Sequence, residues 1–205
     1  MLAVSSIATT ALMRAPIAPK MQASPSLTPA TSEWVNSLPG VTAPFGVFDP
    51  AGLAPETQEE FMLFREAELA HGRVAMMAAL GFLVQESFHP IFDETVIGAG
   101  PVIHQLDKVL EFETGQFFGS CLLMAIFFSE IARARIGWVE PEVEMRTLRE
   151  GYLPGDLQFD PLGLKPTEPA SLLAMQNKEI NNGRLAMLAV AGMTAQELVT
   201  DKTLF

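Results

Sequence analysis

Apolar and polar positions along the chain fall into three long, mostly apolar blocks at about 59–88, 115–137 and 171–199. The middle block carries no charge from 114 to 129, between Glu113 and Glu130. With its polar ends it is long enough for a membrane-crossing helix. The outer blocks have shorter uncharged cores, 74–85 and 185–196, each too short by itself to span a bilayer. Charged residues precede each core and continue the helix. The spans therefore reach full length only if partners neutralise those charges. Stretches rich in Gly and Pro (39–54, 98–101 and 154–169) read as loops rather than strands.

The loops differ in charge. Between the first two blocks lie Asp93, Glu94, Asp107, Glu111 and Glu113 against Lys108. Between the second and third lie Arg133, Arg135, Arg146, Arg149, Lys165 and Lys178. Basic loops stay on the non-translocated side. That places the N-terminus on the same side and the C-terminus across the membrane.

The first and third blocks are copies of each other. Phe48-Asp49-Pro50-Ala51-Gly52-Leu53 recurs as Phe159-Asp160-Pro161-Leu162-Gly163-Leu164. Glu68-Leu69-Ala70-His71-Gly72-Arg73 recurs as Glu179-Ile180-Asn181-Asn182-Gly183-Arg184, and Gln85-Glu86 recurs as Gln196-Glu197. The offset is 111 residues throughout, with no gap. A repeat in one register is the first thing to seek in a chain, and here it predicts two helices crossed about a pseudo-two-fold axis. Small residues at Gly72, Ala75, Ala79 and at Gly183, Ala186, Val190 lie on matching stripes that let membrane helices approach.

Glu and Arg stand five residues apart in each copy. At about 100° per residue they lie roughly 140° apart on one helix, poorly placed to pair within it. Across the axis, Glu68 would meet Arg184 and Glu179 would meet Arg73. Each pair removes two charges that an apolar phase penalises by several kcal/mol.

Ionisable residues inside a membrane span are candidate functional groups. A glutamate neutralised by arginine keeps its second oxygen free, and Glu68 and Glu179 would each offer that oxygen to a hard cation such as magnesium. His71 and Asn182 follow three residues on and would supply an imidazole nitrogen and an amide oxygen. Gln196, and by symmetry Gln85, are amide donors toward the far ends. Glu68-x-x-His71 also has the spacing of di-iron carboxylate bundles. Those bundles need a second such motif, and the second copy reads Glu179-x-x-Asn182. No nucleophile elbow, phosphate loop or zinc pattern is present.

Composition narrows the classes. The 205-residue chain is 49% hydrophobic, and its mean hydropathy is +0.26. A net charge of −11 argues against a nucleic-acid partner. One cysteine, Cys121, excludes a disulfide framework and reads as a small buried apolar residue. No acidic residue precedes Glu33, and only Arg14 and Lys20 are charged before it. Residues 1–29 are accordingly expected to be a targeting segment or a disordered arm, with the domain proper over 30–205.

Glu68-x-x-His71-x-Arg73-x-Ala75-Met76, Glu179-x-x-Asn182-Gly183-Arg184-Leu185-Ala186-Met187 and the two Phe-Asp-Pro-x-Gly-Leu turns resemble the light-harvesting chlorophyll-binding antenna family. The stretch 81–90 and the compact loops are most similar to its fucoxanthin chlorophyll a/c-binding members. The resemblance implies an all-α membrane protein of three transmembrane helices, without enzymatic activity, in the chloroplast thylakoid membrane. Its cofactors would be chlorophyll a, chlorophyll c and fucoxanthin or a related carotenoid. Its partners would be a photosystem core or other antenna subunits, in homo- or hetero-oligomers.

By the same resemblance Glu68, His71, Glu179, Asn182 and Gln196 match axial magnesium ligands. Glu130 matches another, paired with Arg133 or Arg135, and Gln116 lies where a further ligand can stand. Arg73 and Arg184 match the ion-pair partners. The Phe-Asp-Pro turns match loops holding carotenoid ends, in grooves lined by Met76 and Met187. A short lumenal helix with a further His ligand, present in some relatives, has no counterpart expected here. His89 would be a peripheral ligand or a loop histidine, and His104 structural or solvated. The loop acids Asp93, Glu94, Asp107 and Glu111 leave open a photoprotective, energy-dissipating role within the same family. Crossed pairing has a direct test: Arg73→Leu should block assembly of the pigmented protein, and adding Glu179→Gln should restore it. Normal assembly of the single variant would count against the pairing.

Overall fold

A computed structural model of the chain describes residues 33–55, 57–86, 88, 100–141, 143 and 146–204. The 1–29 segment, His89, Asp93 and Glu94 lie outside the described residues. Among the described residues five α-helices follow in order: α1 (Glu33–Asn36), α2 (Gln58–Gln85), α3 (Gln105–Leu110), α4 (Glu113–Gly137) and α5 (Pro169–Thr200). A 3₁₀ turn, Val102–His104, leads into α3. Among the described residues no strand forms. Only isolated bridges pair Thr42 with Gly46 and Trp138 with Leu148. The three long helices match the three blocks, while α1 and α3 occupy stretches not expected to be helical.

Local chemistry starts and stops the long helices. Thr57 caps α2, its Oγ1 accepting the Glu60 N–H at 3.3 Å, and Glu59 and Glu60 face the positive end of the helix dipole. Pro169 opens α5, where its missing N–H costs nothing. Asp201 closes α5 in the left-handed conformation, φ 50°. Two of the long helices, α2 and α4, are long and apolar enough to cross a membrane. The third expected span, α5, has 32 residues, about 48 Å at 1.5 Å per residue, but it is not among the helices that qualify on apolarity. Asn177, Lys178, Glu179, Asn181, Asn182 and Arg184 fill its first half.

The molecule is inside-out. Buried apolar side chains are few (Val35, Leu69, Ala75, Val109, Ile180, Ala186), and Arg65, Glu66 and Glu197 are buried with them. Phe117, Leu123, Phe127, Phe128, Val74 and Leu188 stand exposed. Cys121 is exposed too, because α4 meets the other helices mainly at its ends rather than along its apolar middle. This distribution suits an apolar solvent, where burying leucine gains little and pairing charge gains much.

The main contact is the crossing of α2 and α5, centred on Gly72 and Gly183. A Cβ on either would lie 3.1 Å from the Cα of the other. The neighbour is backbone, so only separation of the helices relieves the clash. Trp34 of α1 packs edge-on to Phe61 of α2, with ring centroids 5.6 Å apart. At the far end, Glu86 accepts the Leu204 N–H at 2.5 Å. Its repeat counterpart Glu197, fully buried, accepts the Ile103 N–H at 3.0 Å. Gly72→Ala should lower stability by about 1–3 kcal/mol through overpacking, read as a lower temperature of pigment release. Gly81→Ala, which meets nothing within 4 Å, is the control and should leave that temperature unchanged or slightly raised.

Candidate functional site: a two-fold clamp with outward-facing ligands

Both cross-helix ion pairs are present. Arg184 Nε lies 2.7 Å from Glu68 Oε1 and Arg73 Nε lies 2.8 Å from Glu179 Oε1. Each guanidinium also grips a loop. Arg184 Nη1 donates to the Gly40 carbonyl and Arg73 Nη2 to the Gly155 carbonyl, both at 2.7 Å. The same glycines donate their N–H groups back to the helices, Gly40 to Asn177 Oδ1 at 2.6 Å and Gly155 to Glu66 Oε2 at 2.7 Å. Asn177 and Glu66 are repeat counterparts. Gly40 and Gly155 have φ of +88° and +82°, and a Cβ would fall 2.9 Å from Ile180 Cγ2 or 2.6 Å from Leu69 Cδ1. Positive φ and close approach together require glycine. The signal for these clamps is in the sequence, as Leu38-Pro39-Gly40 and Leu153-Pro154-Gly155. A search for an ungapped repeat misses it, because Gly40 precedes Phe48 by eight residues and Gly155 precedes Phe159 by four.

The two halves differ at the carboxylates. Glu68 Oε2 accepts a second guanidinium, Arg65 Nη1 at 2.8 Å, so the free oxygen expected on Glu68 is already engaged. Among the described residues, Glu179 Oε2 has no hydrogen-bond partner. Glu66, 2–3% exposed, is a hub that sequence reasoning missed. It meets Arg133 Nη1 at 3.4 Å, the Tyr152 hydroxyl at 3.0 Å and the Gly155 N–H. Arg133 also binds Glu130 at 2.7 Å, which selects Arg133 over Arg135 as the partner of Glu130 and ties α4 to the crossed pair. In all, Arg65, Arg73, Arg133 and Arg184 face Glu66, Glu68, Glu130 and Glu179, with net charge zero.

The remaining candidates are exposed on the outside. His71 Nδ1 lies 2.7 Å from the Ala67 carbonyl. A carbonyl can only accept, so Nδ1 is the donor, and in the neutral ring the lone pair is on Nε2. A backbone carbonyl orienting the far nitrogen is the usual support of a metal-binding histidine. Asn182, Gln85, Gln116 and Gln196 are exposed as well. The structure does not gather the candidates: among the described residues no three His, Cys, Asp or Glu side chains converge to hold an ion. One donor amid exposed apolar side chains such as Val74, Met77 and Leu188 suits a magnesium whose other ligands come from a macrocycle. His104 Nε2 stands 3.9 Å from Asp201, beyond hydrogen-bond distance.

The Phe-Asp-Pro turns are alike in detail. Asp49 accepts the N–H groups of Leu53 and Ala54 at 3.0 and 2.8 Å, and Asp160 those of Leu164 and Lys165 at 2.9 Å. The amides of Ala54 and Lys165 foremost hold the two carboxyls below the usual aspartate range. Gly52 and Gly163 both turn at φ +64°.

The family profile described as Chlorophyll A-B binding protein matches residues 34–198. The chain belongs to the chlorophyll a-b binding protein family. Light-harvesting complex stress-related protein 3.2 of Chlamydomonas reinhardtii is 49% identical over 180 residues, 84% of this chain and 67% of that protein. The fucoxanthin-chlorophyll a-c binding protein of Isochrysis galbana is 43% identical over 209 residues, 99% of this chain and 95% of that protein. A chlorophyll a-b binding protein of Petunia hybrida is 34% identical over 188 residues, 82% of this chain and 62% of that protein. The family is one of light-harvesting chlorophyll-binding antenna proteins, which are not enzymes, so the di-iron reading falls away.

In this family member the loop hydroxyl of Tyr152 reports on the Glu66 hub. Burial, and after it the Glu66 carboxylate, push its pKa up to about 12, against about 10 in an unfolded chain. A raised phenol pKa contributes stability below about pH 10 that is lost as pH rises through about 12. Tyr152 is the chain's single tyrosine, so its phenolate absorbance should appear near pH 12 in the folded protein and near pH 10 after unfolding. A folded-state midpoint near 10 would mean that the Glu66 hub is open in solution.

Proposed function

We propose that the protein is a light-harvesting antenna of the thylakoid membrane that binds chlorophyll a, an accessory chlorophyll c and a fucoxanthin-type carotenoid, and delivers excitation to a photosystem. The observation that carries this reading is the charge-neutral crossed clamp with single exposed nitrogen and oxygen donors around it. In this reading α5 is the third transmembrane helix, its charges cancelled by α2. Glu68, His71, Glu130, Glu179, Asn182 and Gln196 would hold the magnesium of bound chlorophylls, with Gln85 and Gln116 available as further donors. Bound chlorophyll and carotenoid supply the light absorption and excitation transfer. The chain's own work is to hold donors at fixed heights and angles on rigid helices: Arg73 and Arg184 orient the two repeated glutamates, and Arg133 orients Glu130. The Asp49 and Asp160 turns, with exposed Phe48 and Phe159 beside them, would seat the carotenoid ends.

A second reading rests on the 47–49% identity to relatives named stress-related: the same pigment array would dissipate excitation. Two measurements on protein isolated from its membrane in mild detergent decide between these. Fluorescence excitation read at chlorophyll a emission should show bands of an accessory chlorophyll and a carotenoid. A colourless preparation would sink both readings. Excited-state lifetimes that stay constant from neutral pH to about pH 5 support harvesting, and lifetimes that shorten on acidification support dissipation.

A further inference from the structure

The two halves of the clamp are not chemically equal. Two residues of the first copy, Arg65 and Phe61, are replaced in the second by Gln176 and Leu172. Arg65 is buried, its guanidinium stands 5.8 Å from the centre of the Phe61 ring, and its Nη1 holds Glu68 Oε2. Glu68 thus accepts two guanidiniums, one on each oxygen. Glu179 accepts one, and Gln176 makes no bond to it among the described residues.

We infer that Arg65 sets the two repeated glutamates apart as magnesium ligands, making Glu68 the weaker donor and Glu179 the stronger. This rests on the reading of both as axial ligands. The physical cause is threefold. Arg65 occupies one lone pair of Glu68 Oε2, so a metal must share that oxygen. A charge-assisted hydrogen bond withdraws electron density from the carboxylate. A magnesium at about 2.1 Å from Oε2 would also lie within a few ångströms of a second cation, in an environment that screens poorly. Glu179 Oε2 meets none of these. Copies that look identical in the Glu-x-x-x-x-Arg register therefore hold their rings with different strength, and residue 65 or 176 decides which.

Pigment release from the assembled protein tests this. Charge-balanced pairs, Glu68→Leu with Arg184→Leu and Glu179→Leu with Arg73→Leu, first identify, by difference spectra, the absorption band that each carboxylate holds. During mild heating in detergent, the wild-type protein should lose the Glu68 band first. Arg65→Gln should slow that loss by about tenfold, the scale of one charge-assisted hydrogen bond, with the Glu179 band unchanged. Gln176→Arg should hasten loss of the Glu179 band alone. Should Arg65→Gln fail to assemble, Gln176→Arg decides by itself, because it adds a side chain at a half-buried position without emptying one. The inference is overturned if the variants leave both rates unchanged or change both bands by one factor, as general loosening would. If neither leucine pair loses a band, the ligand reading has failed, and the inference with it.

Discussion

A guanidinium or a carboxylate enters an apolar slab at great cost alone and at small cost as a pair. That constraint organises the molecule. Glutamate and arginine five apart cannot satisfy each other on one helix, so each must find its mate on a second helix placed by symmetry. The helices must then come close enough for side chains to reach across, and only glycine at the crossing allows it. Gly72 against Gly183 is thus a consequence of Glu68, Arg73, Glu179 and Arg184. The loops follow from the same requirement. Each arginine has donors left after meeting its glutamate, and the glycine carbonyls of two Leu-Pro-Gly segments take them up.

With charge inside and hydrocarbon outside, the stabilising terms differ from those of a water-soluble bundle. The exposed Phe, Leu and Met side chains are a surface for rings and acyl chains. Potential ligands sit on that surface at single positions, where each can serve one macrocycle without competing with the clamp. His71 shows the division of labour: one nitrogen is spent on its own helix, which fixes the direction of the other.

The 111-residue offset made the two crossed helices and their ion-pair partners legible, because pairing across an axis follows from spacing alone, and the uncharged run 114–129 did the same for α4. The parts that escaped have physical reasons. The Leu-Pro-Gly clamps lie in loops of unequal length, so a constant offset passes over them. Glu66 and Arg65 looked like ordinary charges at a helix start. Only folding shows that one is buried against Tyr152 and Arg133 and that the other engages Glu68. The α5 span was inferred from its likeness to α2; its average hydropathy does not place it with α2 and α4, although Glu179 and Arg184 are paired with charges of α2. The ligand roles of Asn182, Gln85, Gln116 and Gln196 depend on groups outside the polypeptide, which protein–protein contacts do not report.

The reciprocal clamp also has a consequence in time. Helix α2 holds Glu68 and Arg73, whose mates Arg184 and Glu179 are made 116 and 106 residues later. At about 5–20 residues per second, the growing chain waits roughly 5 to 20 seconds with half a clamp. Throughout that interval Arg73 lacks its glutamate, and Glu68 has only Arg65 of its own helix. Birth of the second copy thus completes the clamp, and a chain cut short before Glu179 leaves Arg73 without its glutamate.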